Sequence, residues 1–196
     1  SIMHAASRHG FEPDGVFHGT FGSGVLKAGA KTIADAWELL PYDNRLVVLH
    51  LTREELVGVL NESLESRSDR ALFGFKVDVV KSEAGKGEKR SGSFVRSLTP
   101  LGHSKPRPAG HRYVIVFNSY DVQSGGKRLM RLRALAGLPA CQARLIPPSS
   151  RQALIDFFAD RQVVGRDDLI PSPPKPAPVP DSLKEPAPQP SGGSPS

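Results

Sequence analysis

The chain has 196 residues, of which 38% are hydrophobic and 23% charged, with a formal net charge of +6 at pH 7 and a pI near 9.7. That length and apolar content suffice for one core of ordinary domain size, and the basic balance suits an anionic ligand without requiring one. The single cysteine, Cys141, excludes an intrachain disulfide and a cysteine-built zinc centre, and with no histidine beside it in sequence it reads as an inert thiol.

The chain opens on Ser1-Ile-Met-His-Ala-Ala, inside what reads as a domain, with no charged n-region, apolar h-region or membrane-spanning run. The expectation is a C-terminal piece of a longer protein. A glycine-flanked segment, Asp14-Gly-Val-Phe-His-Gly19, comes first, then Ala28-Gly29. Thr32 followed by Asp35 is a capping-box start, and Ile33, Ala36, Trp37 and Leu40 fall on one helical face before Pro41 stops the helix, which assigns Trp37 to the core. Arg45-Leu-Val-Val-Leu-His-Leu51 is an apolar strand. Thr52 with Glu55 repeats the start signal, and Leu56, Val59, Leu60 and Leu64 form the buried stripe of the next helix. Phe73-Gly-Phe-Lys-Val77 reads as a glycine-containing strand. Lys81 to Ser93, charged and without apolar period, reads as an exposed hairpin or loop, followed by a strand over Ser93 to Thr99. Gly102 to Gly110 shows neither helix nor strand pattern.

Tyr113-Val-Ile-Val-Phe117 is too apolar and β-branched for an exposed strand. It leads through Asn118 and Tyr120 to Gly125-Gly126, a pair that permits positive φ or close approach to a ligand. Lys127, Arg128, Arg131 and Arg133 follow. At helical spacing Lys127 and Arg131 share a face opposite Leu129, Leu132 and Leu135 or Ala136, so the cluster is either a solvated helix face or a phosphate-binding patch. A last helix starts at Ser149 or Ser150 and carries Ala153, Leu154, Phe157 and Phe158 toward a sheet. The segment from Pro171 onward holds ten of the eighteen prolines and no aromatics. This composition implies a domain over 1–168 and a disordered Pro-rich tail over 169–196, acting as a spacer or, less simply, as a ligand for a PxxP groove. The six histidines show no HxH, HExxH or Asp-x-His pairing, so no metal site and no catalytic residue is assigned to this chain. Basic residues are not interleaved with aromatics, and no RNP-like, helix-turn-helix or zinc-finger pattern occurs, so a nucleic-acid partner is not expected.

The order of Asp14 to Gly19, Ala28-Gly29, Glu38-Leu-Leu-Pro-Tyr42, Leu56 to Leu60, Phe73 to Val77 and Asn118 to Gly126 resembles the C-terminal domain of the 5′-nucleotidase family, which includes UDP-sugar hydrolases and 2′,3′-cyclic phosphodiesterases. The resemblance spans roughly Ile2 to Asp160. It implies an α+β fold in which a mixed β-sheet is packed with helices, and a substrate-recognition role within a two-domain metallophosphoesterase that hydrolyses nucleotides or related phosphate esters. It also implies that the divalent metals belong to a separate N-terminal domain, and a periplasmic, cell-surface or secreted setting. By position, Tyr120 would stack on a base, Asn118 would orient the strand-end loop or touch the ligand, and His18 and Ser23 would sit on a Gly-rich turn facing it, with Gly125, Gly126 and Lys127 completing the substrate-binding set. Tyr120 could equally be an aromatic plug under the loop, and Asn118 a turn-stabilising side chain. The chain departs from the pattern where the family's turn Asn falls on His18, its substrate-binding Arg on Ser23, and its post-glycine acid on Lys127. Asp69 and Arg70 stand where a first sandwiching aromatic is expected. These departures motivate a second reading, a non-catalytic binding or scaffold module that kept the fold and lost the nucleotide pocket.

Overall fold

A computed structural model describes residues 1–19, 26–66, 70–81, 92–102 and 107–165. Ser23, Asp69 and the expected tail over 169–196 lie outside these residues. Six α-helices and seven strands are described: α1 (Ile2–Arg8), β1 (Gly15–Gly19), α2 (Ile33–Leu39), β2 (Arg45–Thr52), α3 (Arg53–Glu65), β3 (Arg70–Phe73), β4 (Phe75–Lys81), β5 (Ser93–Pro100), β6 (Arg112–Asn118), α4 (Ser119–Val122), α5 (Met130–Ala136), β7 (Arg144–Ser149) and α6 (Ser150–Arg161). Five strands form one mixed sheet in the order β3-β1-β6-β2-β7. The β1–β6 pair is parallel, and the other three pairs are antiparallel. β4 and β5 form a separate antiparallel pair with Lys81 opposite Ser93, so the hairpin expected around the charged Lys81–Ser93 stretch is present in its flanks.

The two central strands carry apolar residues on both sides because both faces of the sheet are covered. From β2, Val47, Leu49 and Leu51 face one side and Leu46 and Val48 the other; from β6, Tyr113, Ile115 and Phe117 face the first side and Val116 the second. The first face packs on Leu56, Val59 and Leu60 of α3, on Leu132 and Leu135 of α5, and on Val95 and Leu98 of β5. The second packs on Ala5 and Ala6 of α1 and Ala153 of α6. Each fully buried aliphatic or aromatic side chain contributes roughly 1.5–3 kcal/mol, so these opposed faces fix the sheet between two layers.

Both capping boxes form. Thr32 Oγ1 accepts from Asp35 N–H at 3.3 Å while Thr32 N–H donates to the Asp35 carboxylate at 2.6 Å, and the Thr52–Glu55 pair repeats this at 3.2 and 2.8 Å. Ser149 Oγ caps α6 through Gln152 N–H at 3.1 Å. β7 carries Pro147-Pro148 and still pairs with β2, which an edge strand with an irregular register tolerates.

Two expectations fail. Trp37 is not in the core: it is 54% exposed, Ile33 is more exposed still, and only Ala36 of α2 is buried. α2 has seven residues and is held at its C-terminal end instead. The Arg151 guanidinium lies 3.5 Å from the Trp37 ring centroid and donates to the Leu40 and Pro41 carbonyls at 2.8 and 2.9 Å. Lys127 is not on the α5 face with Arg131, because the backbone turns left-handed at Lys127 and Leu129 before α5 begins. Arg131 instead lies across Gly58 of α3. Leu129, Leu132 and Leu135 are buried, as the spacing predicts.

Gly74 separates β3 from β4 at φ +90°, and a side chain there would press its Cβ into the carbonyl oxygen of Asp14 and the Cα of Gly15. Because both obstacles are backbone, neither relaxes cheaply. Gly74→Ala is expected to cost about 2–4 kcal/mol and lower the melting temperature by roughly 5–15 °C in a circular-dichroism melt, whereas a shift under about 2 °C would contradict the contact.

Candidate functional site

The C-terminal end of β6 is the most elaborated part of the described chain. Asn118 is fully buried and caps α4: its Oδ1 accepts from Asp121 N–H at 2.9 Å, and its Nδ2 donates to Asp121 Oδ2 at 2.7 Å. An asparagine in this position satisfies an otherwise orphaned helix donor, worth about 1 kcal/mol. The Asp121 carboxylate also receives Arg70, whose Nε donates to the two oxygens at 2.9 and 2.8 Å and whose Nη2 donates to Oδ1 at 2.5 Å. The two side chains are 6% and 2% exposed. Sequence reading named Arg70 only as an occupant of the loop where an aromatic was expected, and missed Asp121. The legible signal was the spacing Asn118-x-x-Asp121, an N-cap followed by an acid in the first helical turn.

Beyond α4 the backbone enters the left-handed region repeatedly, at Ser124 (φ 56°), Gly126 (φ 70°), Lys127 (φ 59°) and Leu129 (φ 55°). Three of these four are not glycine, and each such residue costs of order 1 kcal/mol or more unless its surroundings hold it. Leu129 is held by burial in the core, and Ser124 Oγ lies 3.4 Å from Arg133 Nη1. Gly125 is packed so tightly against the Tyr120 ring that a Cβ would overlap it, and Gly126 takes the positive φ that the glycine pair was expected to permit. Tyr120 remains 40% exposed. It is therefore braced by the loop rather than buried beneath it.

The other sequence-derived residues fall as follows. His18 lies within β1, opposite Ala71 of β3, and is buried; it is a strand residue and not part of a turn. Its Nδ1 is 2.7 Å from the Gly19 carbonyl oxygen, which makes Nδ1–H the donor. Burial pushes its pKa below the ordinary histidine value, against the opposing effects of the Gly19 hydrogen bond and Asp121, with Arg70 adding to the decrease. Asn118, Tyr120, Gly125, Gly126 and Lys127 stand together on the strand-end loop, and Arg70 and Asp121 lock that loop to β3. Cys141 is fully buried, and burial followed by the Glu55 charge raises its thiol pKa, so it is held as the protonated thiol. Among the described residues no three His, Cys, Asp or Glu side chains gather as metal ligands. A separate cavity of about 190 Å³ lies between α1 and α6, lined by His4, Arg8, His9 and Asp156, and His4 and Arg8 there both contact Asp160, at 3.1 and 2.6 Å. None of the described helices is long and apolar enough to cross a membrane.

No protein-family model matches the chain, and no curated protein matches it significantly. Solved structures do match. The NAD nucleotidase of Haemophilus influenzae superposes with a TM-score of 0.61 at 17% identity, covering 81% of this chain and 29% of that one. The 5′-nucleotidase precursor of Thermus thermophilus gives a TM-score of 0.64 at 17% identity, covering 83% and 31%. The chain thus has the α+β fold of one part of 5′-nucleotidase structures, as the order of its motifs implied, and spans about three-tenths of the length of the proteins it matches.

The buried His18 gives a signed pH dependence. Its folded pKa lies below its unfolded one, so below about pH 6.5 the unfolded chain takes up a proton that the folded chain resists, and stability falls with pH. His18→Asn is expected to flatten the melting temperature against pH between about 7.5 and 5 relative to the parent chain, whatever its absolute stability. Parallel curves would show that His18 does not carry this dependence.

Proposed function

We propose that this chain is the substrate-recognition domain of a 5′-nucleotidase-like phosphoesterase, acting on nucleotides or related phosphate esters whose hydrolysis is carried out by a separate N-terminal metal-binding domain of the same protein. The observation that carries the reading is the ring of Tyr120, partly exposed and braced by Gly125, on a strand-end loop locked by a buried ion pair. A flat group stacked on that ring would gain about 1–3 kcal/mol, and binding energy far from the scissile bond is what positions a phosphate ester for attack. Gly126 and Lys127 would line the rim, and Asn118 acts through Asp121, by holding the turn that aims Tyr120, rather than by direct contact. The fold shared with nucleotidase structures supports the class, and the domain would share the periplasmic, surface or secreted setting that the resemblance implies.

A second reading, a binding or scaffold module without a nucleotide pocket, draws on one observation: the polar groups of Asn118 and Asp121 are engaged with each other and with Arg70. Calorimetric titration of the full chain with nucleoside monophosphates separates the two. Under the first reading Tyr120→Ala weakens binding by about 5- to 150-fold while the melting temperature stays close to that of the parent. Absence of binding by the parent chain, or a loss that follows a lowered melting temperature, supports the second.

A further inference from the structure

Resting on that reading of the Tyr120 surface, we propose that Arg128, seconded by Lys127, determines specificity there by selecting a flat ring that carries or adjoins an anionic group distinct from the ester phosphate. The geometry comes from the alternating backbone. Lys127 and Leu129 are left-handed, while Arg128 between them is extended (φ −103°, ψ 159°), so Leu129 turns into the core and Arg128 is thrown back over Gly126. The position that a Cβ on Gly126 would take lies 3.3 Å from the Tyr120 hydroxyl and 3.4 Å from Arg128 Nε and Nη2. Tyrosine hydroxyl and guanidinium therefore both lie beside Gly126, which places Arg128 near the hydroxyl end of the Tyr120 ring.

The charge balance of the loop is one-sided. Asp121, the acid of the turn, is buried against Arg70 and fully engaged there. Arg128 and Lys127 are exposed, and among the described residues neither makes an ion pair. Arg133 adds a third positive charge beside Ser124. Directly after the glycine pair the chain places Lys127 and Arg128, so the rim carries two adjacent positive charges. An arginine fork takes a carboxylate or a phosphate in two parallel hydrogen bonds, and a neutral ring edge offers it no equivalent partner. The anion belongs either to the ring, as a carboxylate, or to its sugar, as a second phosphate; both present the same chemistry to Arg128.

The test is a set of titrations of the full chain, at low and at high salt, with adenosine, orotidine, adenosine 3′-monophosphate and inorganic phosphate. The proposal expects at least one of the two anionic nucleosides to bind roughly tenfold or more tightly than adenosine. Orotidine as the preferred ligand identifies the ring carboxylate, and the 3′-monophosphate identifies the second phosphate. Arg128→Gln should reduce that preference to below about threefold and leave adenosine affinity and the melting temperature unchanged. Equal affinity for neutral and anionic nucleosides overturns this proposal and leaves the recognition role standing, as does a preference that survives Arg128→Gln. Inorganic phosphate binding as tightly as the anionic nucleosides, and insensitive to Tyr120→Ala, overturns it as well, since the surface would then be merely cationic. No binding by any nucleoside overturns both this proposal and the function on which it rests.

Discussion

The ion pair between Arg70 and Asp121 is the constraint on which the candidate site depends. It joins the edge strand β3 to the loop that follows the central strand β6, across 51 positions of sequence, with both side chains nearly excluded from solvent. A buried pair of this kind adds little net stability compared with an apolar pair of the same shape. Removing one partner, however, strands a buried charge at a cost of about 3–5 kcal/mol, so the arrangement specifies position more than it stabilises. Asn118 completes the network from the strand end, using its amide for Asp121 and its carbonyl for the first turn of α4. The direction in which Tyr120 leaves the sheet is set by these three residues.

The loop that follows is held in a conformation that isolated residues avoid. Ser124, Lys127 and Leu129 sit at positive φ without being glycine, whereas Gly125 stands where a Cβ would overlap the Tyr120 ring and Gly126 takes a positive φ beside the Tyr120 hydroxyl and Arg128. Burial of Leu129 in the same core as Phe117 and Leu132 offsets part of that strain. The result is a Tyr120 ring braced against the loop, and pre-organisation of this kind lowers the ordering cost of binding.

The parts of this fold written in local chemistry were legible in the sequence. The runs of β2 and β6 announce burial on both faces, and the Thr32–Asp35 and Thr52–Glu55 boxes mark helix starts to the residue. The order of the motifs carried the fold class. The parts that depend on contacts distant in sequence were not legible. Trp37 has the spacing of a core residue, yet its partner is Arg151, more than a hundred positions away, which converts a core position into a stacked surface one. Pro147-Pro148 conceals β7, because its pairing uses an irregular edge register that no periodicity reveals. His18 and Gly19 look like turn residues, and only the ladder to Ala71 and Arg70 makes them strand. The candidate loop residues were named from their types and from the family resemblance, while the Arg70–Asp121 pair that holds the loop in place needed the fold.

The central claim is that the strand-end loop around Tyr120 is the ligand-recognition surface of this chain. It is tested most directly by following backbone amide resonances of the full chain during titration with a nucleoside monophosphate. The account predicts saturable shifts concentrated at residues 118–128 and at Arg70, with the residues of α1 and α6 unmoved. Shifts confined to the cavity beside His4, Arg8 and His9, or none at any residue up to millimolar ligand, would contradict it.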